Sequence, residues 1–352
     1  MFHSKSRSLS CGMVGAALAA GIVFAPAAAS AEGTVNIYSY RQPDLIKPLL
    51  DAFTAETGIE TQVLFLDSGL EERVAAEGSN SPADLIFTVD IGRLAGAKAA
   101  GITQPVDDAA INDNIPSQYR DSEGHWFGLT TRGRVVYASK DRVEQDTITY
   151  EDLADPKWKG RICIRSGQHV YNIALFASMI AHHGAEYTEK WLTGLRDNLA
   201  HKPDGNDRAQ AKAIHSGECD IGLGNTYYVG LMQTNDKEPE QKEWAAAIKV
   251  LFPNSEDRGT HVNVSGMALA KYAPNKENAL KLMEFLASHE GQEIYAEQVF
   301  EYPIGPGTEP SGIVSAFGPI KPDTLPLEEI AANRKAASEL VDKVGFDAGP
   351  SS

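Results

Sequence analysis

The stretch HWFGLTTRGRVVYASK at residues 125–140 decides the fold of this chain. It is rich in β-branched and aromatic residues, which predicts a long extended segment. A second extended run, HVNVSGMALAKYA, occupies residues 261–273. A complete set of strands and helices lies between the two runs. The simplest architecture therefore inserts this middle block into a first sheet as a second lobe, and the two runs pair as crossings between the lobes.

Strand-like and helical runs alternate along the rest of the chain. TVNIYSY at 34–40 and CDIGLGNT at 219–226 are strand-like, whereas PDLIKPLLDAFTAETG at 43–58 has apolar residues on one helical face. Two C-terminal runs, at 276–298 and 327–344, predict amphipathic helices. This alternation predicts α/β sheets with helices on their faces.

The two crossings define two lobes with a cleft between them. We expect lobe 1 to comprise residues 32–132 and 259–310, and lobe 2 to comprise residues 133–258 and 311–352. Ligand sites prefer such clefts, and in α/β sheets they prefer the loops that follow the carboxyl ends of strands. Those loops are SYRQP, TVD, RSGQHVYN, PDGNDR and GNTYY.

The N-terminus has the pattern of a secretory signal peptide. A basic start with Lys5 and Arg7 precedes a short apolar stretch, and Ala-Ser-Ala then ends at Ala31. The apolar stretch is shorter than the roughly 20 residues of a spanning helix. Cys11 precedes that stretch, which disfavours a lipoprotein. We therefore expect residues 1–31 to be a signal peptide cleaved after Ala31, and the mature protein to be periplasmic.

Composition and charge narrow the class of protein. The formal net charge is −16, which disfavours a surface that binds nucleic acid or phospholipid. The roughly 320 residues after the signal are too many for one small core and suggest two domains. Two cysteines remain, Cys163 and Cys219. In an oxidising compartment such a pair favours a disulfide, although two buried thiols are the alternative.

The predicted cleft loops lack the signatures of catalysis. They are rich in Tyr, Asn, Arg, Ser and Gly, but the chain has no G-x-S-x-G, H-E-x-x-H or C-x-x-C motif and no Gly-rich phosphate fingerprint. No histidine pair has the spacing of a zinc site. An enzyme with a tyrosine nucleophile would need a neighbouring base, which the local sequence does not provide. We therefore do not expect an enzyme.

Adjacent tyrosines, Tyr227 and Tyr228, stand in GLGNTYYVGL at residues 222–231. Consecutive residues of an extended strand face opposite ways. Both phenols can reach one site only if the strand ends there in a turn or a helix start. Tyr171, which opens the helix after RSGQHV, is a third candidate in the same lobe. Core packing and stacking on a sugar are the alternatives for these rings.

Three phenols suit a hard, highly charged cation. Tyrosine titrates near ~10 in water, yet a strongly Lewis-acidic metal deprotonates its ligand. Hard cations prefer anionic oxygen, whereas imidazole and thiolate suit softer metals. Ferric iron is the biologically common hard trivalent cation, and three phenolates would neutralise its charge. Ferrous iron with protonated phenols stays open as a second state.

Eight ordered blocks extend over essentially the whole mature chain. They are VNIYSYR, EGSNSPADLIFTVDIGRL, WFGLTTRGRVVY, YEDLADPKWKGRICIRSG, GNDRAQAKAI, GECDIGLGNTYYVG, GTHVNVSGMALAK and EYPI. Together they resemble the tyrosine-rich group of periplasmic ferric-iron-binding proteins of ABC importers. The resemblance implies an α/β, two-lobed periplasmic binding protein fold of the class II type with two hinge crossings. It also implies a monomeric carrier that delivers Fe(III) to an inner-membrane ABC permease.

The resemblance assigns roles to individual residues. It implies that the metal ligands are Tyr171, Tyr227 and Tyr228, with Arg132 close to the metal. It also implies a synergistic anion, such as carbonate or phosphate, beside the iron. The residues matching the anion donors are Ser166, Gly167, Asn206 and Asn225.

One departure from the family concerns lobe 1. Many tyrosine-rich members place His-Tyr after Y-S-x-R, where this chain has Gln42 and Pro43. Pro43 has no side-chain donor, and Gln42 is a weak neutral one. The candidate contacts from lobe 1 are therefore Tyr40, Gln42 and Asp90. An exogenous anion, paired with Arg41 or Arg132, or water would complete the coordination sphere.

A different cargo on the same fold is the alternative function. The periplasmic binding protein fold also hosts phosphate, polyamines and thiamine, and fold alone does not determine function. A polyamine site would need carboxylates among aromatic residues, and the predicted cleft loops are short of carboxylates.

Overall fold

The computed structural model describes residues 33–351, so the predicted signal peptide at residues 1–31 and its cleavage site lie outside the described residues. The strands are β1 Thr34–Ser39, β2 Glu60–Phe65, β3 Leu85–Thr88, β4 Phe127–Ser139, β5 Ile162–Cys163, β6 Ile221–Asn225, β7 Ile248–Leu251, β8 Val262–Leu269 and β9 Tyr302–Pro303. The helices are α1 Pro43–Thr57, α2 Leu70–Glu77, α3 Ile91–Ala99, α4 Ala109–Asn114, α5 Val170–His183, α6 Ala185–Asp197, α7 Asp207–Ser216, α8 Thr226–Gln233, α9 Glu240–Ala246, α10 Lys276–Ala287, α11 His289–Val299, α12 Gly312–Ser315 and α13 Leu327–Lys343. Short 3-10 turns lie at Gly78–Asn80, Ser117–Tyr119, Glu151–Ala154, Pro156–Trp158 and Phe346–Ala348.

The long strand β4 belongs to two sheets. Its first half, up to Gly133, pairs antiparallel with β8. Its second half, from Arg134 onward, pairs antiparallel with β6 and β7. We call the parts of the molecule built on these two sheets lobe 1 and lobe 2. The change of partner lies one residue after the predicted lobe limit between residues 132 and 133; the lobe limits as a whole stay a prediction.

The first sheet has the order β2-β1-β3-β8-β4, and the second continues as β4-β6-β5. β1 is parallel to β2 and β3, whereas β8 is antiparallel to β3 and β4. β5 and β6 are parallel, and β9 pairs with β4 beside Thr130. The predicted α/β periplasmic binding protein fold is therefore confirmed.

The return from lobe 2 differs from the prediction. The two extended runs pair with each other as expected, but β8 pairs only with β3 and β4 of the first sheet. The chain returns from β7 through residues 252–261 instead. Pro253 cannot donate a ladder hydrogen bond, and Asn254 has a left-handed φ of 58°. The chain therefore turns here, and β4 is the only strand within residues 33–351 that crosses between the lobes.

The structure differs from the predicted secondary structure in two further places, where the local sequence signals for a helix or strand are weak. The run 276–298 forms two helices, α10 and α11, because the Ser288 side chain accepts a hydrogen bond from the Gly291 N–H and starts a new helix. The short elements β7, β9, α4 and α9 have no predicted counterpart.

α1 shows how composition produces one of these helices. Pro43 occupies its first position, where a missing N–H costs nothing. Gly58 ends it with a left-handed φ of 72° and donates to the Thr54 carbonyl. The buried face consists of Ile46, Leu49, Leu50 and Phe53. This face belongs to the apolar core of lobe 1.

A disulfide joins Cys163 and Cys219, whose Cα atoms are 5.9 Å apart. The structure thus has the favoured bridge rather than two thiols. It ties the end of β5 to the segment just before β6. It therefore supports the strand that leads into the tyrosine pair.

We expect the double replacement Cys163→Ser and Cys219→Ser to lower the free energy of unfolding by about 3–4 kcal/mol. The bridge spans a sequence separation of 56 residues, and a cross-link over such a loop reduces the entropy of the unfolded chain. Urea denaturation measures the change. The unaltered protein with a thiol reductant should unfold at the same urea concentration as the variant. Equal stability of the variant and the oxidised protein would contradict this role.

Candidate functional site

The tyrosine pair lies where a strand turns directly into a helix. β6 ends at Asn225 and α8 begins at Thr226, so Tyr227 and Tyr228 occupy the first turn of α8. Their ring centroids are 4.3 Å apart. Gly224 is required nearby, because a Cβ there would lie 2.1 Å from the Tyr137 ring. The strand end therefore places both phenols on one side, as the sequence predicts.

Tyr171 approaches the pair from a second helix start. It lies in the first turn of α5, where the ring of His169 accepts a hydrogen bond from the Tyr171 N–H. Burial, and then the charge of Arg165, lowers the pKa of His169 to about 3, so this ring is neutral and can accept. The Tyr171 hydroxyl oxygen is 3.2 Å from that of Tyr227. Phenols from two helices thus meet at one point.

The three phenols face a cavity of about 170 Å³ between the lobes. One wall comes from lobe 1 and includes Tyr40, Gln42 and Phe65. The opposite wall comes from lobe 2 and contains the phenols. A larger groove of about 890 Å³ lies around Arg120 and Asp121, but no tyrosine lines it. We place the site at the smaller cavity because the converging oxygen donors are there.

Four guanidinium groups lie near the phenol rings. Their distances to ring centroids are 5.6 Å for Arg41 over Tyr227, 5.7 Å for Arg132 over Tyr171, 5.5 Å for Arg165 over Tyr171 and 4.8 Å for Arg208 over Tyr228. The sequence predicts Arg41 and Arg132 but misses the other two. Both missed arginines stand in predicted cleft loops, RSGQHVYN and PDGNDR, so their loop position is the signal that could have identified them.

Arg41 is fixed, whereas Arg132 has a free donor. Nη2 of Arg41 lies 2.6 Å from buried Glu301 and 2.7 Å from the Tyr295 hydroxyl. Nη1 of Arg132 donates to Ser265, but its buried Nη2 has no hydrogen-bond partner. Burial opposes ionisation of Glu301, yet Arg41 and Arg132 hold its pKa below the usual value. An unpaired buried donor beside Tyr171 favours an acceptor at this position.

Asp207 ties together the elements that hold the phenols. Its buried carboxylate accepts hydrogen bonds from Arg134 at 2.7 Å, Arg165 at 3.1 Å and the Asn225 N–H at 2.9 Å. Burial alone would raise the pKa of Asp207, but Arg134 and Arg165 lower it. The charged carboxylate therefore joins α7, β4, the loop after β5 and the end of β6.

The pair Tyr227 and Tyr228 is protonated in the metal-free protein. Tyr227 is 2% exposed, and burial raises its pKa well above 10, followed by the effect of Tyr171 and Tyr228. Arg41 opposes this shift. Burial, and then Tyr171, also raises the pKa of Tyr228. A cation that binds these oxygens must therefore displace protons.

The predicted contacts from lobe 1 have different surroundings. The Tyr40 hydroxyl donates to Glu71, and burial followed by this hydrogen bond raises its pKa to about 12. Asp90 caps α3 and does not line the cavity. Gln42 is exposed and lines the cavity wall. Gln42 is therefore the one candidate of the three whose side chain lines the cavity and makes no hydrogen bond to another described residue.

The predicted anion donors are largely engaged elsewhere. The Ser166 hydroxyl and the Gly167 N–H both donate to Asp347, each at 2.6 Å. Asn206 caps α7 by accepting from two backbone N–H groups. Asn225 accepts from a buried arginine, but its Nδ2 is buried without a partner. The chain's own carboxylate thus occupies the Ser–Gly turn, because the C-terminal segment folds back onto it.

Two features are absent from the part of the chain that the structure describes. Between residues 33 and 351, no cluster of three His, Cys, Asp or Glu side chains could hold a metal ion. None of the helices in this range combines the length and apolar character that crossing a membrane requires.

Comparison with known proteins identifies relatives of the whole described chain. A family model for bacterial extracellular solute-binding proteins matches residues 39–293. The iron uptake protein A1 of Synechocystis sp. is 43% identical over 315 residues, which cover 89% of this chain and 87% of that protein.

Solved structures agree with this match. The ferric iron-binding protein A of Mannheimia haemolytica, in an open conformation, has 50% identity and a TM-score of 0.84, covering 90% of this chain and 99% of that one. A Trichodesmium protein in complex with iron and citrate ligands has 42% identity and a TM-score of 0.85, covering 89% and 100% of the two chains.

We expect Asp207→Asn to lower the free energy of unfolding by about 3–5 kcal/mol, because the buried guanidinium of Arg134 loses its charged partner. Urea denaturation followed by tryptophan fluorescence measures this change. Asp236→Asn is the matched control, since Asp236 pairs with Lys242 at the surface and its loss should leave the unfolding curve unchanged. If both variants unfold like the parent protein, Asp207 does not hold these elements together.

Proposed function

We propose, because the chain belongs to the family of bacterial extracellular solute-binding proteins, that it captures ferric iron through tyrosine oxygens and delivers it to a membrane permease. The proposed ligands are Tyr171, Tyr227 and Tyr228. The convergence of these phenols from two helix starts supports the proposal most directly, with 3.2 Å between the Tyr171 and Tyr227 oxygens.

The chemistry of the donors favours a trivalent cation. Three phenolates supply three negative charges and hard anionic oxygen, which ferric iron prefers. Burial raises the pKa of Tyr227 and of Tyr228, so a strongly Lewis-acidic ion is needed to displace their protons. A monovalent or organic cation would not deprotonate these groups. The site therefore selects by charge density as well as by shape.

Three tyrosines leave the coordination sphere of iron incomplete. We propose that a synergistic anion such as carbonate, or water, occupies the remaining positions. The unpaired Nε of Arg208, which lines the cavity, supports an anion here, as do the unpaired Nη2 of Arg132 and Nδ2 of Asn225 nearby. The Trichodesmium relative holds citrate together with iron. Gln42 is the candidate neutral contact from lobe 1.

The family also supports the cellular setting. Solute-binding proteins of this family are extracellular, and we propose a periplasmic location after cleavage at Ala31. We propose an inner-membrane ABC permease as the partner and a monomer as the functional state. The carrier performs no chemistry on its cargo beyond exchange of protons for metal. Phosphate, a polyamine or thiamine as cargo is not favoured, because the relatives described above are named for iron or hold it.

Removing single phenol oxygens tests the ligand set. Ferric citrate added to the purified metal-free protein should produce a visible tyrosinate-to-iron charge-transfer band. In Tyr171→Phe, Tyr227→Phe and Tyr228→Phe the band should weaken or shift. Iron affinity should fall more than it does when a residue outside the coordination sphere is replaced, which typically costs about 10–100-fold. Tyr272→Phe is the control, since that side chain is exposed on lobe 1. An uncoloured parent protein would refute iron capture.

Iron affinity should fall as pH falls, because protons compete with iron for the phenol oxygens. The apparent association constant should change up to about tenfold per pH unit for each phenol that loses its proton. Competition with nitrilotriacetate between pH 6 and pH 8 measures the slope. In Tyr171→Phe, the number of protons released per iron bound, which this slope measures, should be lower by about one. A slope of zero in the parent protein would mean that neutral phenols bind the ion.

A further inference from the structure

The C-terminal helix α13 contacts both lobes beside the proposed iron site. It packs along α5 of lobe 2, the helix whose first turn contains Tyr171, and it also packs on α3 of lobe 1. The side chain of Arg334, near the middle of α13, contacts both lobes. The helix is therefore a link between two parts of the molecule that face each other across the cavity.

The contacts of Arg334 are specific on each side. Its Nη1 lies 3.0 Å from Oδ1 of Asp90 in lobe 1. The same nitrogen donates to the carbonyl of Val170 in lobe 2 at 3.4 Å, directly before Tyr171. Asp90 is fully buried and Arg334 is only 18% exposed. The ion pair is thus largely removed from water, where its electrostatic strength is greater than at the surface.

Asp90 is held rigidly in lobe 1. Its Oδ1 accepts from the Gly92 N–H at 2.8 Å, and its Oδ2 accepts from Nδ2 of Asn263 at 2.8 Å. Asn263 lies in β8 and in turn accepts from the Ile91 N–H at 2.9 Å. The carboxylate is therefore fixed to both α3 and the first sheet. Any movement of lobe 1 away from α13 must break its pair with Arg334.

Gly92, in the first turn of α3, leaves room for the Arg334 side chain because it has no side chain of its own. A Cβ at Gly92 would lie 2.0 Å from Nε of Arg334, so the guanidinium occupies the place of a side chain. One turn later on α3, a Cβ at Gly96 would be 3.8 Å from its nearest neighbour, Oε1 of Glu71, which is ordinary contact. Only the glycine beside Arg334 is needed for this contact.

We propose that Arg334 fastens lobe 1 to lobe 2 around the loaded cavity. We call its ion pair with Asp90 and its hydrogen bond to Val170 the clasp. The clasp joins groups held on opposite lobes, so it favours the arrangement in which the lobes meet and slows loss of the cargo. The Mannheimia haemolytica relative has an open conformation, so this fold does separate its lobes. As a mechanism of cargo retention, the clasp rests on the proposed capture of iron.

Two variants break the clasp from opposite lobes. Arg334→Gln removes the charge on α13, with Lys335→Gln as the control because Lys335 is an exposed neighbour on the same helix. Gly92→Ala displaces the guanidinium sterically from α3, with Gly96→Ala as its control. Both glycine replacements raise helix propensity. Thermal unfolding should therefore show Gly92→Ala to be folded even if Arg334→Gln is not.

Two readouts separate the clasp from the site itself. Release of iron to excess EDTA, followed by decay of the charge-transfer band, should be about tenfold faster in both clasp variants and unchanged in both controls, since loss of a desolvated charge partner acts mainly on dissociation. The band of the loaded protein should keep its position, because the three phenols are untouched. Small-angle X-ray scattering of the metal-free variants should give a larger radius of gyration than the controls.

The outcomes are distinct. If the parent protein binds no iron but the clasp variants still expand in scattering, the proposed cargo is wrong and the interlobe clasp stands. If iron binds normally, and folded Gly92→Ala matches Gly96→Ala in both release rate and radius of gyration, the clasp is overturned.

Discussion

The buried ion pair between Asp207 and Arg134 is the interaction on which the rest of the site depends. It lies where β4 changes from the first sheet to the second, at the step from Gly133 to Arg134. The same carboxylate accepts the Asn225 N–H at the end of β6, one residue before α8 begins. Asp207 thereby links the crossing of β4 between the lobes to the start of the helix that contains Tyr227 and Tyr228. A buried charge without its partner is far more costly than a paired one. Any conformation that separates β4 from the start of α8 would therefore be destabilised.

The charged groups near this ion pair bear directly on the proposed binding of a trivalent cation. Tyr227 and Tyr228 are neutral without metal, because burial and the neighbouring phenols oppose their ionisation. Four guanidinium groups lie near the phenol rings. Within residues 33–351, the buried carboxylates paired with them are Glu301 and Asp207. The cavity itself is lined by two arginines, Arg41 and Arg208, and one carboxylate, Asp67, so its metal-free charge is net positive. Such a cavity repels a bare cation until the phenols lose their protons, and it attracts an anion at the same time. This electrostatics supports the proposed joint binding of iron and an anion.

Much of this arrangement was predictable from sequence because its signals are local. The crossing strand at 125–140, the α/β alternation and the strand-to-helix turn at the tyrosine pair all come from residue types over a few positions. The resemblance to ferric-iron-binding proteins, which ordered blocks of sequence indicated, is confirmed by the relatives. The disulfide between Cys163 and Cys219 also follows from compartment and count. The three-tyrosine ligand set itself stays a prediction that the geometry supports.

What the sequence could not supply are contacts made by the last fifty residues after they fold back over both lobes. Asp347 fills the turn at Ser166 and Gly167 with a carboxylate, and a local reading of that turn could only find free N–H donors for an anion. Arg334 likewise engages Asp90, a residue whose position after β3 had suggested a role at the metal. In both places a charged side chain more than 150 residues away satisfies the group. Distant charges thus occupy the sites at the margin of the cleft. The three phenols line the cavity itself, together with Arg208, whose buried Nε has no hydrogen-bond partner.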